Sequence, residues 1–168
     1  MKPTGDPETV LTRYREGPAL LERALAGLTA AELDAPPRLG GWTIRQIVHH
    51  VADGDDLWKS GLKAALGNEG GEFTLAWYWS LPQEEWAERW GYAQRSLAAS
   101  VALLKACRDH VVQLLETIPD AWSRTIGVRR PDGKLDSFAV GAIVAMQADH
   151  LEHHVERILA IRRECGGT

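Results

Sequence analysis

Apolar positions recur three and four residues apart along most of this chain, the period of helices with one buried face. Val10, Leu11, Tyr14, Leu21, Leu25 and Leu28 follow that rhythm and predict a first helix over about 7–26. Asp6 is placed to cap it, and Pro7 suits the first helical position, where its missing N–H has no intrahelical partner to lose. Gly17-Pro18 interrupts the pattern and predicts a kink or a division into two pieces. Thr29 and Glu32 form a capping box for a short turn that Pro36-Pro37 ends. A second long helix starts at Thr43, where Gln46 completes another capping box, and runs to about Leu66 with Gly67 as its stop.

Residues 68–82 are Gly-rich and then aromatic, and read as a loop. A third helix is expected over about 83–116, ending before Ile118-Pro119. From 120 to 137 the chain is polar and irregular, and Arg130-Pro-Asp-Gly133 is a turn between two short segments suited to a small hairpin. A fourth helix spans about 138–163, closed by Gly166-Gly167. Four long amphipathic helices predict an all-α fold, a four-helix bundle with long connections after its second and third helices. Those connections imply something other than a plain up-and-down ribbon, and they are natural places for a lid. No internal repeat or linker divides the sequence, so residues 1–168 are expected to form a single domain.

Composition narrows the function classes. The formal net charge of -4 offers no basic footprint for a phosphate backbone, so nucleic acid is not an expected partner. No apolar run approaches the roughly 20 residues that cross a bilayer, and the N-terminal MKPTGDPETV lacks a signal-type segment. The expectation is a cytoplasmic protein without a membrane partner. Cys107 and Cys165 stand in no metal-binding pattern and read as reduced thiols, Cys107 as a small core residue. Of seven tryptophans, Trp77, Trp79, Trp86 and Trp90 crowd one short span and suggest either a pocket wall or packing and dimer-interface residues.

Helical phase then separates the six histidines. Ile47, His50, Val51, Gly54 and Leu57 share one face, so His50 points inward, while His49 is rotated by about 100° and points outward or sideways. His150 and His154 stand at i, i+4, close to one line with Ile143 and Ile161. His153 is turned away, and His110 reads as structural or exposed. Three inward imidazoles on two helices fit a shared divalent cation, because burying them together without one leaves several polar atoms unpaired at about 1–3 kcal/mol each. A three-histidine set also keeps a coordination position open for water or substrate. Gly54, one turn after His50, leaves room beside the helix. Glu152, between the paired histidines, projects away from them and is poorly placed as a general base. Asp53 reads either as a residue that hydrogen-bonds a ligand or orients an imidazole, or as a solvated acid. Arg157, one turn beyond His154, either binds an anionic group in the pocket or makes a surface ion pair.

The segments GGWTIRQIVHHVADGD and DHLEHHVERI resemble those of the DinB-like superfamily, and within it the YfiT-like branch of provisionally assigned metal-dependent hydrolases. The resemblance covers most of the chain in helix order, with its specific motifs on the second and fourth helices. It implies a four-helix bundle, usually a homodimer, with zinc or nickel on three histidines, which carried onto this sequence are His50, His150 and His154. It also implies use of a low-molecular-weight thiol such as bacillithiol or mycothiol in some relatives. Gly54-Asp55 stands where that branch is expected to carry Ser-His. The expected function is a metal-dependent enzyme acting on a small-molecule substrate, by transferring a thiol to an electrophile or by hydrolysing an amide or ester. The alternatives are a metal-binding stress-response module without turnover, and an apolar-ligand carrier.

Overall fold

The computed structural model describes residues 5–165, with the Cys165 side chain and the Gly166-Gly167 stop outside the described residues. Four long helices carry the architecture: α1 (Pro7–Leu25), α3 (Ile44–Gly67), α6 (Leu97–Thr117) and α7 (Val140–Cys165). The shorter elements are α2 (Ala30–Asp34), β1 (Glu72–Thr74), α4 (Ala76–Trp79), α5 (Gln83–Arg89), β2 (Thr125–Arg129) and β3 (Leu135–Ala139). Both α1 and α3 pack against α6 and α7, so successive long helices α1 and α3 occupy diagonal corners of the bundle. This is a four-helix bundle without simple up-and-down neighbour order.

The caps form as their residue types require. The Thr9 amide donates to the Asp6 carboxylate at 3.0 Å. Thr29 with Glu32 and Thr43 with Gln46 each close a reciprocal capping box. Gly17-Pro18, expected to kink or divide the first helix, does not divide it: α1 is continuous across it. Pro18 cannot donate to the Tyr14 carbonyl one turn earlier, and that carbonyl instead accepts from Arg108 Nη1 at 3.0 Å. The expected 83–116 helix is broken. Gly91 adopts φ +63°, and the Tyr92 and Gly91 amides donate back to the Ala87 and Glu88 carbonyls at 2.9 and 3.0 Å, which ends α5 before α6 begins.

The hairpin around the Arg130–Gly133 turn forms as β2 and β3, in register from Thr125 opposite Ala139 to Arg129 opposite Leu135. The expected 68–82 loop instead contains β1, which adds to β2 in parallel, and α4. A three-residue strand is too short to show a period of two, so its pairing comes from the partner.

The buried apolar residues fall into two halves. One holds Val10, Tyr14, Leu62, Val111, Ile126 and Ile143, and the other Leu21, Ile47, Val51, Leu104, Leu151 and Ile158. Between them every long helix contributes a break in the apolar pattern: Gly17 on α1, His50 and Asp55 on α3, Arg108 on α6, Gln147 and His150 on α7. The bundle therefore has a polar layer at mid-height, and the candidate site lies in it.

Candidate metal centre

The polar layer is organised around a buried ion pair. Arg108 and Asp55 side chains are both fully enclosed, with Nε donating to Oδ2 at 2.6 Å. Arg108 Nη2 also donates to the Gln147 carbonyl at 2.8 Å, which ties α6 to α7 one turn before His150. Its guanidinium lies 4.4 Å from the centre of the Tyr14 ring. Gly17 makes this possible, because a Cβ there would stand 2.2 Å from Arg108 Nη1. Hydrogen bonds from Arg108 stabilise the Asp55 carboxylate, while burial pushes its pKa up.

Three imidazoles meet on the other side of Gln147. His50 Nε2 lies 3.0 Å from His150 Nε2, and His154 Nε2 lies 3.2 Å from the same atom. The rings stand nearly perpendicular to one another, with centroids 4.6–4.9 Å apart. Trp42 packs against His50, with the rings tilted by 60° at a centroid distance of 4.6 Å. Gly54 passes close to His150: a Cβ at that position would be 3.6 Å from Cε1.

Burial is the main reason that none of the three is protonated at neutral pH. It pushes His50 down to about 3, helped by the closeness of His150, which disfavours a second proton on the cluster, and by the Arg157 charge. It pushes His150 to about 4, helped by Arg108 and His153, and His154 to about 2, helped by His150 and His50. Each ring therefore keeps a lone pair. Tetrahedral ligation with bonds of about 2.0–2.1 Å separates two nitrogens by about 3.3 Å, close to the observed spacing. All three ligand atoms lie within 4.8 Å of one another. The Nδ1 atoms of His150 and His154 are buried without a hydrogen-bond partner among the described residues. Those Nδ1 atoms lie away from the cluster, whereas the three Nε2 atoms face one another, and a divalent cation between them takes up all three lone pairs, so the Nε2 donor set fits a divalent metal.

The other sequence-predicted residues fall around this cluster in different ways. Asp53 faces the turn between α5 and α6, where Arg95 Nη1 and Nη2 donate to it at 3.0 and 3.4 Å. Arg157 is half-buried against the Gly41 backbone turn, 3.5 Å from where a Cβ would sit, and its charge bears on His50 and His154. It makes no ion pair among the described residues. His49 was expected to point outward or sideways, but it is fully buried, with Nδ1 2.8 Å from Ser100 Oγ. The side of α3 away from the bundle centre is covered by the start of α6, which the helical phase of α3 does not reveal. His153 and His110 are exposed. Cys107 is buried and lies 3.2 Å from Lys59 Nζ.

A recess of about 200 Å³ opens beside the rings, lined by His50, His150, Gly54, Gln147, Trp58 and Tyr78 among others. Its lining includes no carboxylate. Gln147 escaped the sequence reading. It is 3% exposed, and its side-chain Oε1 is buried with no hydrogen-bond partner among the described residues. The available signal was its place at i−3 from His150, on the inward side of α7. Trp77, Trp86 and Trp90 form a ring cluster with Tyr78, while Trp79 stands apart and lines the recess.

A helical bundle with three neutral histidines converging at a recess defines a candidate metal-dependent protein of the four-helix-bundle class. The sequence profile of the DinB superfamily matches residues 13–158, and the chain belongs to that superfamily. A protein of Geobacillus kaustophilus with a provisional metal-dependent-hydrolase name is 28% identical over 164 residues, covering 96% of this chain and 87% of the relative. YfiT of Bacillus subtilis, provisionally named in the same way, is 29% identical over 151 residues, covering 90% of this chain and 81% of YfiT. The solved structure of YfiT, described as a probable metal-dependent hydrolase with an unusual four-helix bundle topology, matches with a TM-score of 0.82 and 27% identity. That match covers 99% of this chain and 94% of YfiT. A mycothiol-dependent maleylpyruvate isomerase shares the fold at a TM-score of 0.66 and 18% identity, over 92% of this chain and 61% of the isomerase.

Proposed function

We propose that this chain is a metal-dependent enzyme in which His50, His150 and His154 hold one divalent ion, zinc or nickel, beside a recess for a small molecule. The observation that carries the reading is the convergence of three neutral Nε2 atoms, two of them from residues that line that recess. An ion so held lowers the pKa of a thiol or water and supplies a nucleophile at neutral pH. His50 and His150 face the recess, so a reacting group binds against that side of the centre. Trp42 packs against His50, which is buried. Arg157 places a positive charge near His50 and His154 that favours an anionic group. Asp53 acts on position, by holding Arg95 and with it the turn into α6.

No carboxylate in the recess is available to take a proton from water. A thiol, with an ordinary pKa of about 8.5, ionises with less help. This favours transfer of a low-molecular-weight thiol, bacillithiol or mycothiol, to an electrophile, and the isomerase that shares the fold is itself mycothiol-dependent. Hydrolysis of a small amide or ester is the second reading, favoured by the names of the similar proteins. The proposal further assigns the protein to the cytoplasm as a homodimer, with neither nucleic acid nor membrane as partner. No helix among the described residues is long and apolar enough to cross a membrane.

Elemental analysis of the purified protein tests the centre, with about one divalent ion per chain expected. Bacillithiol or mycothiol with 1-chloro-2,4-dinitrobenzene, and a panel of p-nitrophenyl esters, test the reaction. His50→Ala and His154→Ala are expected to lose ion and rate together. Bound metal that raises the melting temperature without turnover on either panel would replace the enzyme with a metal-binding stress-response or ligand-binding module.

A further inference from the structure

The recess at the histidines has only about 200 Å³, below the roughly 300–1,000 Å³ of sites that enclose a whole small molecule. A second cavity of about 550 Å³ adjoins it, and Trp58, Trp79 and Met146 line both. Polarity changes along this path. The inner end presents His50, His150 and the unpaired Oε1 of Gln147. The outer cavity is walled by Val128, Pro131 and Phe138, with Arg130 as its one charged lining residue. Asp136 accepts from Arg130 and also pairs with Lys134 at 3.3 Å, so one carboxylate faces two cations. The Arg130 side chain remains 54% exposed at this rim. Asp132 balances Lys134 on the same turn, and Arg130 is the charged group that the outer cavity itself presents next to its apolar walls.

We infer that the two cavities form one site for an amphipathic anion, whose polar end meets Gln147 and the histidines, whose apolar body lies against Trp58, Trp79 and Phe138, and whose anionic end reaches Arg130. The inference rests on the proposed metal centre only for the chemistry at the inner end. It narrows the substrate to molecules with a hydrocarbon or aryl body and a terminal carboxylate, sulfonate or phosphate. Gln147, whose side-chain Oε1 is unpaired among the described residues, gains a partner when a polar end with a donor is bound, which makes it a positioning residue.

Saturated carboxylates are suitable probes, because each added methylene that enters an apolar cavity strengthens binding by about fourfold. The purified protein is titrated with butanoate, octanoate and octan-1-ol, following tryptophan fluorescence and heat. Octanoate is expected to bind on the order of 10²-fold more tightly than butanoate and about two- to fivefold more tightly than octan-1-ol. Arg130→Gln, a surface change that spares the fold, should abolish the difference between octanoate and octan-1-ol. Met146→Trp, which fills the shared wall, should weaken octanoate by at least about tenfold. Binding that ignores chain length, or an Arg130→Gln protein that still prefers octanoate, overturns the assignment. Octanoate binding as described in a protein that purifies without metal supports the cavity and removes the metal reading. Turnover of short and long p-nitrophenyl esters at equal efficiency removes the cavity and leaves the metal reading in place.

Discussion

Arg108 donates to the Tyr14 carbonyl that Pro18, one turn later, leaves without its helical partner. A proline that would ordinarily weaken α1 thereby becomes a docking point for a fully buried guanidinium, which Asp55 neutralises. Removing one member of an enclosed pair strands the other charge. Asp55→Asn and Arg108→Met are each expected to lower stability by about 3–5 kcal/mol in denaturant unfolding. Replacing both together, as Asp55→Leu with Arg108→Met, should cost clearly less than the sum of the two.

The link between Arg108 and Pro18 has its own signature. In the Arg108→Met background, Pro18→Ala restores the N–H that the Tyr14 carbonyl needs and should recover about 1 kcal/mol. In the unaltered protein the same change should recover much less, since the carbonyl already has a donor. Strictly additive effects in the double-mutant cycle would refute the coupling.

Gly17 is required for space. A methyl at that position would stand 2.2 Å from Arg108 Nη1 and 2.3 Å from Leu151 Cδ2. Gly17→Ala is expected to destabilise by about 1–3 kcal/mol despite the better helix propensity of alanine. A melting temperature at or above that of the unaltered protein would show that the contact is not close.

The adjacent histidines His49 and His50 should separate cleanly. His49→Ala leaves the Ser100 hydroxyl unpaired and should cost about 1–3 kcal/mol while metal content stays the same. His50→Ala should abolish metal content. Loss of metal from both variants to the same extent would place His49 in the centre.

Acid should act on the metal-free protein through the histidines. Their folded pKa values lie below the ordinary 6.5 of the unfolded chain. Below 6.5 the unfolded state therefore binds more protons, and the stability that is intact above this pH is lost as pH falls towards about 4. The melting temperature of chelator-treated protein should fall through that window, and His154→Gln should flatten the slope. Bound metal should hold the curve level to lower pH, because the ion competes with the protons. A melting temperature of chelator-treated protein that stays flat from about pH 6.5 to 4 would contradict the burial of three neutral rings.

Local chemistry was readable along the chain. Thr43 and Gln46 announce a helix start because the capping box involves residues three apart, and both halves of it form. The inward direction of His50, His150 and His154 follows from a period of 3.6 residues once the apolar face is known. The end of α5 was also written locally, in Gly91, but good helix formers on both sides outweighed one glycine in the periodicity.

Sequence alone thus determined the helical class, the caps, the small hairpin and which three imidazoles point towards the bundle centre. Tertiary structure decided the diagonal placement of α1 and α3, the burial of His49 under Ser100, and the route by which Arg108 rescues the Tyr14 carbonyl. It also decided that the Gln147 amide and the walls of two cavities would share Trp58 and Trp79 with the histidines. The physical reason is range. Capping and amphipathic phase depend on neighbours within one or two turns, whereas Arg108 meets a backbone atom 94 positions away, and no local period records such a meeting.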